Sequence, residues 1–198
     1  MYPENLEPKH GTLTVTIPKD RIGVLIGVNG SVKKAIEEKL GVRLTIDSKD
    51  GVVSIELAKS PNEGGDPAAM FKARDVVVAI GRGFSPEKAF KLFEEDIVLD
   101  IVHLEDFVGK NVNDLVRVRA RLIGTGGKTR KIIEENAHVL VSIYGDTVAI
   151  IGDPQDVEAA KEAVIRLITG SPHSAVYKML DEYARKRKAG KLMPGFKL

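Results

Sequence analysis

Two short glycine-bearing segments, Gly27-Val28-Asn29-Gly30 and Gly124-Thr125-Gly126-Gly127, are where chemistry could concentrate in this chain. Glycine has no Cβ wall, so a phosphate can come close to the main chain there. A helix that starts at such a loop adds unpaired N–H groups and the positive end of its dipole. Basic residues follow both loops: Lys33 and Lys34 after the first, and Lys128, Arg130 and Lys131, with Thr129 among them, after the second. The chemistry this predicts is electrostatic capture of a phosphate backbone, with no bond made or broken. The second loop is the preferred site, because it has three glycines and carries Lys128 where the first has Ser31.

Residues for catalysis are missing. The segment GTGGKT at 124–129 imitates the end of a P-loop, whose first glycine would have to stand at position 122, which is Leu122. It also follows a helical pattern, where a P-loop follows a strand. His10, His103, His138 and His173 have no partner at metal-ligand spacing, and the chain has no cysteine. The pairs Glu37-Glu38 and Glu134-Glu135 fall on polar helix faces and read as solvating charge. No catalytic residue, metal or cofactor is expected, and a nucleotide-binding enzyme is the least favoured function.

The elements that must position the loops come as a repeat. VLIGVNGSVKKAIEEKLGVRLTI (24–46) lies over RLIGTGGKTRKIIEENAHVLVSI (121–143) at a constant offset with no gap. Glycines, basic pairs and apolar positions coincide, so the chain is read as two copies of one unit. In the first copy, residues 12–17 alternate with period 2 and predict a strand. A short helix over 19–26 runs into the loop, and a second begins at Ser31. Strands over 42–47 and 52–58 follow, and Asp66-Pro67 opens a last helix as N-cap and first-turn proline. In the second copy, strands are predicted over 97–103, 140–144 and 147–151. Helices are predicted over 113–123 and 129–137, and from Asp153-Pro154. The order β-α-α-β-β-α occurs twice, an α+β fold of two three-stranded antiparallel sheets, each with helices on one face.

The expected organisation is a first domain over 1–84, a connecting helix over 85–95, a second domain over 96–170 and a basic helical tail over 171–198. In the tail, Ala175, Val176, Met179, Leu180 and Tyr183 recur at helical spacing over 174–187, and Arg185-Lys186-Arg187-Lys188 is expected to remain free for phosphate. The net charge of +2 does not itself argue for nucleic acid, but the middle of the chain is acidic and the tail basic. Aromatic residues, at 5%, are too few for recognition by a row of stacked rings. No segment has the length of a membrane span, and the N-terminus has no signal-like pattern, so a cytoplasmic protein is expected.

Tandem Ile-Gly-x-x-Gly turns in a repeated β-α-α-β-β-α unit resemble the type I KH domain of RNA-binding proteins, over residues 12–168. The tandem, the run GTGGKTRKIIEE and the closing segment 177–198 resemble the archaeal and eukaryotic KH-domain factors of small-subunit ribosome assembly. The resemblance implies a role without catalysis, in which unpaired (pre-)rRNA near the 3′ end of the small-subunit rRNA is held by Gly27, Val28, Asn29, Gly30, Lys33 and Lys34. In the second copy it implies Gly124, Thr125, Gly126, Gly127, Lys128, Thr129, Arg130 and Lys131. It further implies an apolar groove for the bases beside each loop, with Val24, Ile26, Val42 and Leu44, and Leu122, Ile123, Leu140 and Val141, as candidate groove residues. It also implies contact with a PIN-domain endonuclease and with the alpha subunit of translation initiation factor 2. The alternative is a KH adaptor of another RNA machine, an exosome or a transcription elongation complex.

Overall fold

The computed structural model describes residues 11–191. The chain forms two compact units that divide between Phe93 and Glu94. In the first, β1 (Leu13–Thr16) leads to α1 (Lys19–Ile26), the Gly27–Gly30 turn and α2 (Ser31–Leu40), followed by β2 (Val42–Asp47), β3 (Val52–Leu57) and α3 (Pro67–Gly81). The sheet is antiparallel in the order β1-β3-β2, with Thr16 opposite Val52 and Val42 opposite Leu57. The Asp66 side chain accepts from the Ala68 N–H and Pro67 fills the first turn, as the sequence predicts. Met70, Ala73, Val76, Val77 and Ile80 from α3 are buried, together with Leu25, Ile36, Leu44 and Ile55.

The second unit repeats the plan with β4 (Val98–His103), α5 (Glu105–Val108), α6 (Val112–Ile123), α7 (Lys128–Ala137), β5 (Leu140–Tyr144), β6 (Thr147–Gly152) and α8 (Pro154–Ile168). Its sheet has the order β4-β6-β5, the same as the first. Its core runs from Leu104, Val118 and Leu122 through Ile133, Val141 and Ile150 to Val164 and Leu167. The helices that end at the loops, α1 and α6, match at an offset of 97, while β1 and β4 match at 87, so the second unit holds ten more residues between strand and helix. That insertion makes α5, which the periodicity does not predict, and lengthens α6 to 12 residues where α1 has 8. Asn111 caps the longer helix by accepting from the N–H groups of Asn113 and Asp114.

A further helix closes each unit. The connecting helix expected over 85–95 is instead α4 (Pro86–Ala89) continuing as a 3-10 turn (Phe90–Phe93). It packs on α3 with Phe84, Ala89 and Leu92 buried, so it belongs to the first unit rather than spanning between units. The reason is spacing. Ala89 and Leu92 are three residues apart, as are the stacked rings of Phe90 and Phe93, and 3-10 winding puts i and i+3 on one line. In the second unit α9 (His173–Lys191) stays α-helical, because its buried Val176 and Leu180 are four apart. It packs on α7 and α8, so the amphipathic tail finds its cover within its own unit.

One device recurs with different residues. Arg21 of α1 donates to the carbonyls of Ile80 and Phe84 at 2.8 and 2.7 Å. Arg121 of α6 donates to those of Leu167 and Ser171 at 3.2 and 2.7 Å. Each guanidinium satisfies carbonyls at and just beyond the C-terminal end of α3 or α8, where a cation is favoured. The two arginines do not align in the repeat.

Candidate nucleic-acid interface

The two loops have one backbone. The first glycine of each, Gly27 (φ +73°) or Gly124 (φ +69°), ends the preceding helix, and the last, Gly30 (φ +78°) or Gly127 (φ +79°), is left-handed and opens the next. Between them the N–H of Gly30 donates to the Gly27 carbonyl at 3.2 Å, and that of Gly127 to the Gly124 carbonyl at 3.1 Å. The glycines have different reasons. A Cβ on Gly27 would stand 2.8 Å from the Val32 nitrogen, and one on Gly124 would stand 2.8 Å from the Thr129 nitrogen. These first glycines are required by the helix that folds back over them. A Cβ on Gly30, Gly126 or Gly127 would meet nothing, so these positions lie open to a ligand.

Side chains separate the two copies. Val28, 83% exposed, and Asn29 stand at the tip of the first loop, and Lys33 and Lys34 lean toward Glu37 and Glu38 at 3.8 and 3.6 Å. At the second loop Thr125, Gly126 and Lys128 are exposed, and neither Lys128 nor Lys131 has an ion pair among the described residues. Arg130 leans its Nε toward Glu134 at 3.7 Å. Thr129 is different: it is 2% exposed, and its hydroxyl is hydrogen bonded to that of Tyr177 on α9 at 2.8 Å. Its side chain therefore ties the loop to α9 and is not presented to RNA. His173, on the first turn of α9, bonds through Nε2 to the Arg121 carbonyl at 3.0 Å, completing a cleft of about 520 Å³ behind the loop.

Of the candidate groove residues, Val42, Leu44, Leu122 and Val141 are core side chains with no face to offer. Val24, Ile26, Ile123 and Leu140 remain accessible. Two functional side chains escape the sequence reading. Glu37 Oε1 accepts from the Leu44 N–H at 2.7 Å, and Glu134 Oε1 accepts from the Val141 N–H at 2.9 Å. These carboxylates are not merely solvating charge: each satisfies an outward N–H of an edge strand beside its loop. Their coincidence in the repeat, seven residues before an apolar strand position, is the signal that could have found them.

The basic tail is only partly free. Arg187 is paired with Asp156, which is 1% exposed and also accepts from the Tyr183 hydroxyl at 2.7 Å. Burial, with the Asp156 carboxylate alongside, pushes the Tyr183 phenol up to about 12. Arg185 pairs with Asp181 at 2.8 Å on the exposed side of α9. Among the described residues no cluster of three metal-ligating side chains occurs, and no helix is long and apolar enough to cross a membrane.

Comparison with known proteins agrees with this geometry. Residues 12–79 match the KH domain, and residues 98–185, which include most of α9, match a eukaryotic-type (type I) KH domain. A KH domain-containing protein of Methanocaldococcus jannaschii, MJ0443, is 48% identical over 87% of this chain and 74% of its own. The pre-rRNA-processing protein pno1 of Schizosaccharomyces pombe is 29% identical over 88% of this chain and 71% of its own. Among solved structures, Dim2p of Pyrococcus horikoshii is 50% identical with a TM-score of 0.79, over 86% of this chain and 98% of that one. A chain from the a/eIF2alpha–aDim2p–rRNA complex of the same organism is 48% identical with a TM-score of 0.81, over 88% and 94%. With two type I KH units and these relatives spanning both, the chain belongs to the tandem KH-domain family that includes Dim2p and the PNO1 pre-rRNA-processing proteins.

Proposed function

We propose that this chain is a non-catalytic assembly factor of the small ribosomal subunit that holds single-stranded pre-rRNA near its 3′ end, chiefly with the loop of its second unit. The observation that carries the reading is the pair Gly126 and Gly127. Both lie open at the start of α7, beside Lys128 and Lys131, whose charges no carboxylate neutralises among the described residues. A phosphate arriving there meets bare backbone, a helix N-terminus and mobile cations together. The first loop, with Val28 and Asn29 at its tip and its lysines engaged by glutamates, contributes less. The remaining loop residues, Gly27, Gly30, Gly124, Thr125 and Arg130, shape or flank these two sites.

A relative seen with rRNA and a/eIF2alpha supports the alpha subunit of translation initiation factor 2 as a protein partner. Contact with a PIN-domain endonuclease, which would make the cut that this chain only positions, belongs to the same proposal, as does a cytoplasmic location. For the domain limits, the KH cores read at 1–84 and 96–170 each carry the helix that follows them.

The test is binding of single-stranded small-subunit rRNA 3′-end fragments by fluorescence anisotropy at matched salt. Replacing Gly126 and Gly127 by Asp puts negative charge where phosphates approach. It should weaken binding by about tenfold or more, equivalent to ~1.4 kcal/mol, with the fold retained by circular dichroism. Asp at Val28 and Asn29 should cost less. Equal affinity before and after the change at 126 and 127 refutes the assigned site.

A further inference from the structure

Of the outer strands of the two sheets, β1 alone is unguarded. Glu37 and Glu134 occupy β2 and β5, and β4 carries an inward charge, Asp100, paired with Lys161 of α8 at 2.8 Å. The residue aligned with Asp100 in the first unit is Leu13, and β1 reads Leu13-Thr14-Val15-Thr16 without charge. Ile17, just beyond it, donates to the Gly51 carbonyl at 2.9 Å, so Leu13 and Val15 bond to β3. Thr14 and Thr16 then turn their N–H and C=O groups outward, where no other hydrogen bond meets them among the described residues. The helix side of this strand is an apolar groove. Leu13 and Val15 are half-buried, and Pro67, Phe71, Arg74 and Val78 form one stripe of α3, within about 60° of one another. Pro67 shares a cleft with Thr12 and Val78 shares one with Val15, so the stripe follows β1 along its length. Phe71, 51% exposed, lies beneath the Arg74 guanidinium at 5.4 Å from its ring centre. At the start of β1 the groove opens into about 590 Å³ walled by Leu57, Pro61, Pro67 and Met70, with Glu56 its one charged side chain.

We propose that β1 takes on an extended strand from a protein partner, a basic segment with β-branched residues at alternate positions. The sheet is complete at three strands within the chain, and the fourth arrives on the folded unit. Thr14 and Thr16 supply backbone hydrogen bonds, and Leu13, Val15, Phe71 and Val78 receive every second side chain of the added strand. Charge selects the occupant. Residues 56–66 carry Glu56, Glu63 and Asp66 against Lys59, a net charge of −2, and none of the three carboxylates has an ion pair among the described residues. The Ser60 hydroxyl and N–H donate to Glu63 and hold its carboxyl below the usual range, so its charge persists. A polyanion is repelled from this surface, which separates it from the RNA-binding loops. A second copy would bring the same carboxylates and an uncharged strand, a poorer match than a basic segment.

The test uses the full chain and two sets of peptides of about twelve residues, long enough to cover the strand and the cleft. Both sets have Val, Ile or Thr at alternate positions; one has Lys and Arg between them, the other Glu and Asp. Binding is read by fluorescence anisotropy at matched salt, and the basic set is expected to bind where the acidic set does not. T14P removes an outward N–H and leaves the bonds to β3 in place, so it should weaken the basic peptides by about tenfold or more. F71S and E56Q should each weaken them by about three- to fivefold, and they carry the test should T14P disturb the strand. G126D/G127D should leave peptide binding unchanged. No binding by the basic set, equal binding by both sets, or binding that all three variants leave unaltered overturns the proposal. Self-association of the chain that T14P abolishes also overturns it and gives the edge to a second copy. A loss of RNA affinity in F71S and E56Q matching that of G126D/G127D overturns it in favour of RNA.

Discussion

Asn29 and Gly126 occupy the same left-handed position in the two loops, at φ 52° and φ 58°. Asn tolerates that conformation, so both loops fold alike. The first covers its backbone with a side chain and the second leaves it bare. A similar divergence follows three residues later, where Val32 in the first unit aligns with Thr129 in the second. Thr129 anchors the loop to α9 through Tyr177. The first unit has only the short α4 and its 3-10 continuation, packed on α3. The repeat keeps one loop backbone in both copies, and the copies differ in what braces each loop and in what surrounds it.

The strongest way to break this comparison is Asp156→Ala. It removes the buried acceptor of Tyr183 and the partner of Arg187, so α9 loses its hold on α8; the aligned residue in the first unit is Ala69, with no such network. Loss of one member of a buried pair costs about 3–5 kcal/mol. Calorimetry should show the second unit melting earlier while the first keeps its transition; a single unshifted transition would remove α9 from the stability of the unit.

Gly27→Ala and Gly124→Ala come next and should hurt both units alike. Each forces a Cβ against backbone nitrogen at 2.8 Å from a left-handed φ, so a loss of about 2–3 kcal/mol is expected. Gly126→Ala meets open space and should cost about 1 kcal/mol. Denaturant midpoints check the ranking, and equal losses at 124 and 126 would contradict the distinction between structural and open glycines.

The smallest effect sharpens the role of the tail. Lys186→Ala and Lys188→Ala should each lower the slope of log affinity against log salt by up to about 0.7, without altering base preference. Arg187→Ala should leave that slope unchanged, because its guanidinium is already held by Asp156.

Much of this architecture is legible in the residues. The boundaries of α1, α2 and β2 follow from period, caps and glycines, and both Asp-Pro openings mark their helices. What escaped depends on long-range contact. Whether Arg187 reaches solvent or Asp156 is decided by the docking of α9, which no local pattern contains. The inserted α5, four residues long, is too short for a helical period to register. The helices after each KH unit were expected from spacing, but that each closes its own unit was also within reach. Phe90-Lys91-Leu92-Phe93 aligns with Tyr177-Lys178-Met179-Leu180 after Ser-Pro in both copies, with one extra residue in the second, a continuation of the repeat beyond the KH unit.

The paired glutamates have a consequence for how two such similar units share one chain. Strands β2 and β5 are sheet edges, and an unoccupied edge is a template on which another strand can add. In a duplicated protein the most available strand is the sibling's, with a matching pattern and a high effective concentration. Glu37 and Glu134 each fill an outward N–H of that edge from within their own unit. An incoming strand would have to displace a charge-assisted hydrogen bond before gaining its first backbone contact. The carboxylates thereby hold each sheet at three strands and favour correct pairing while both units fold side by side.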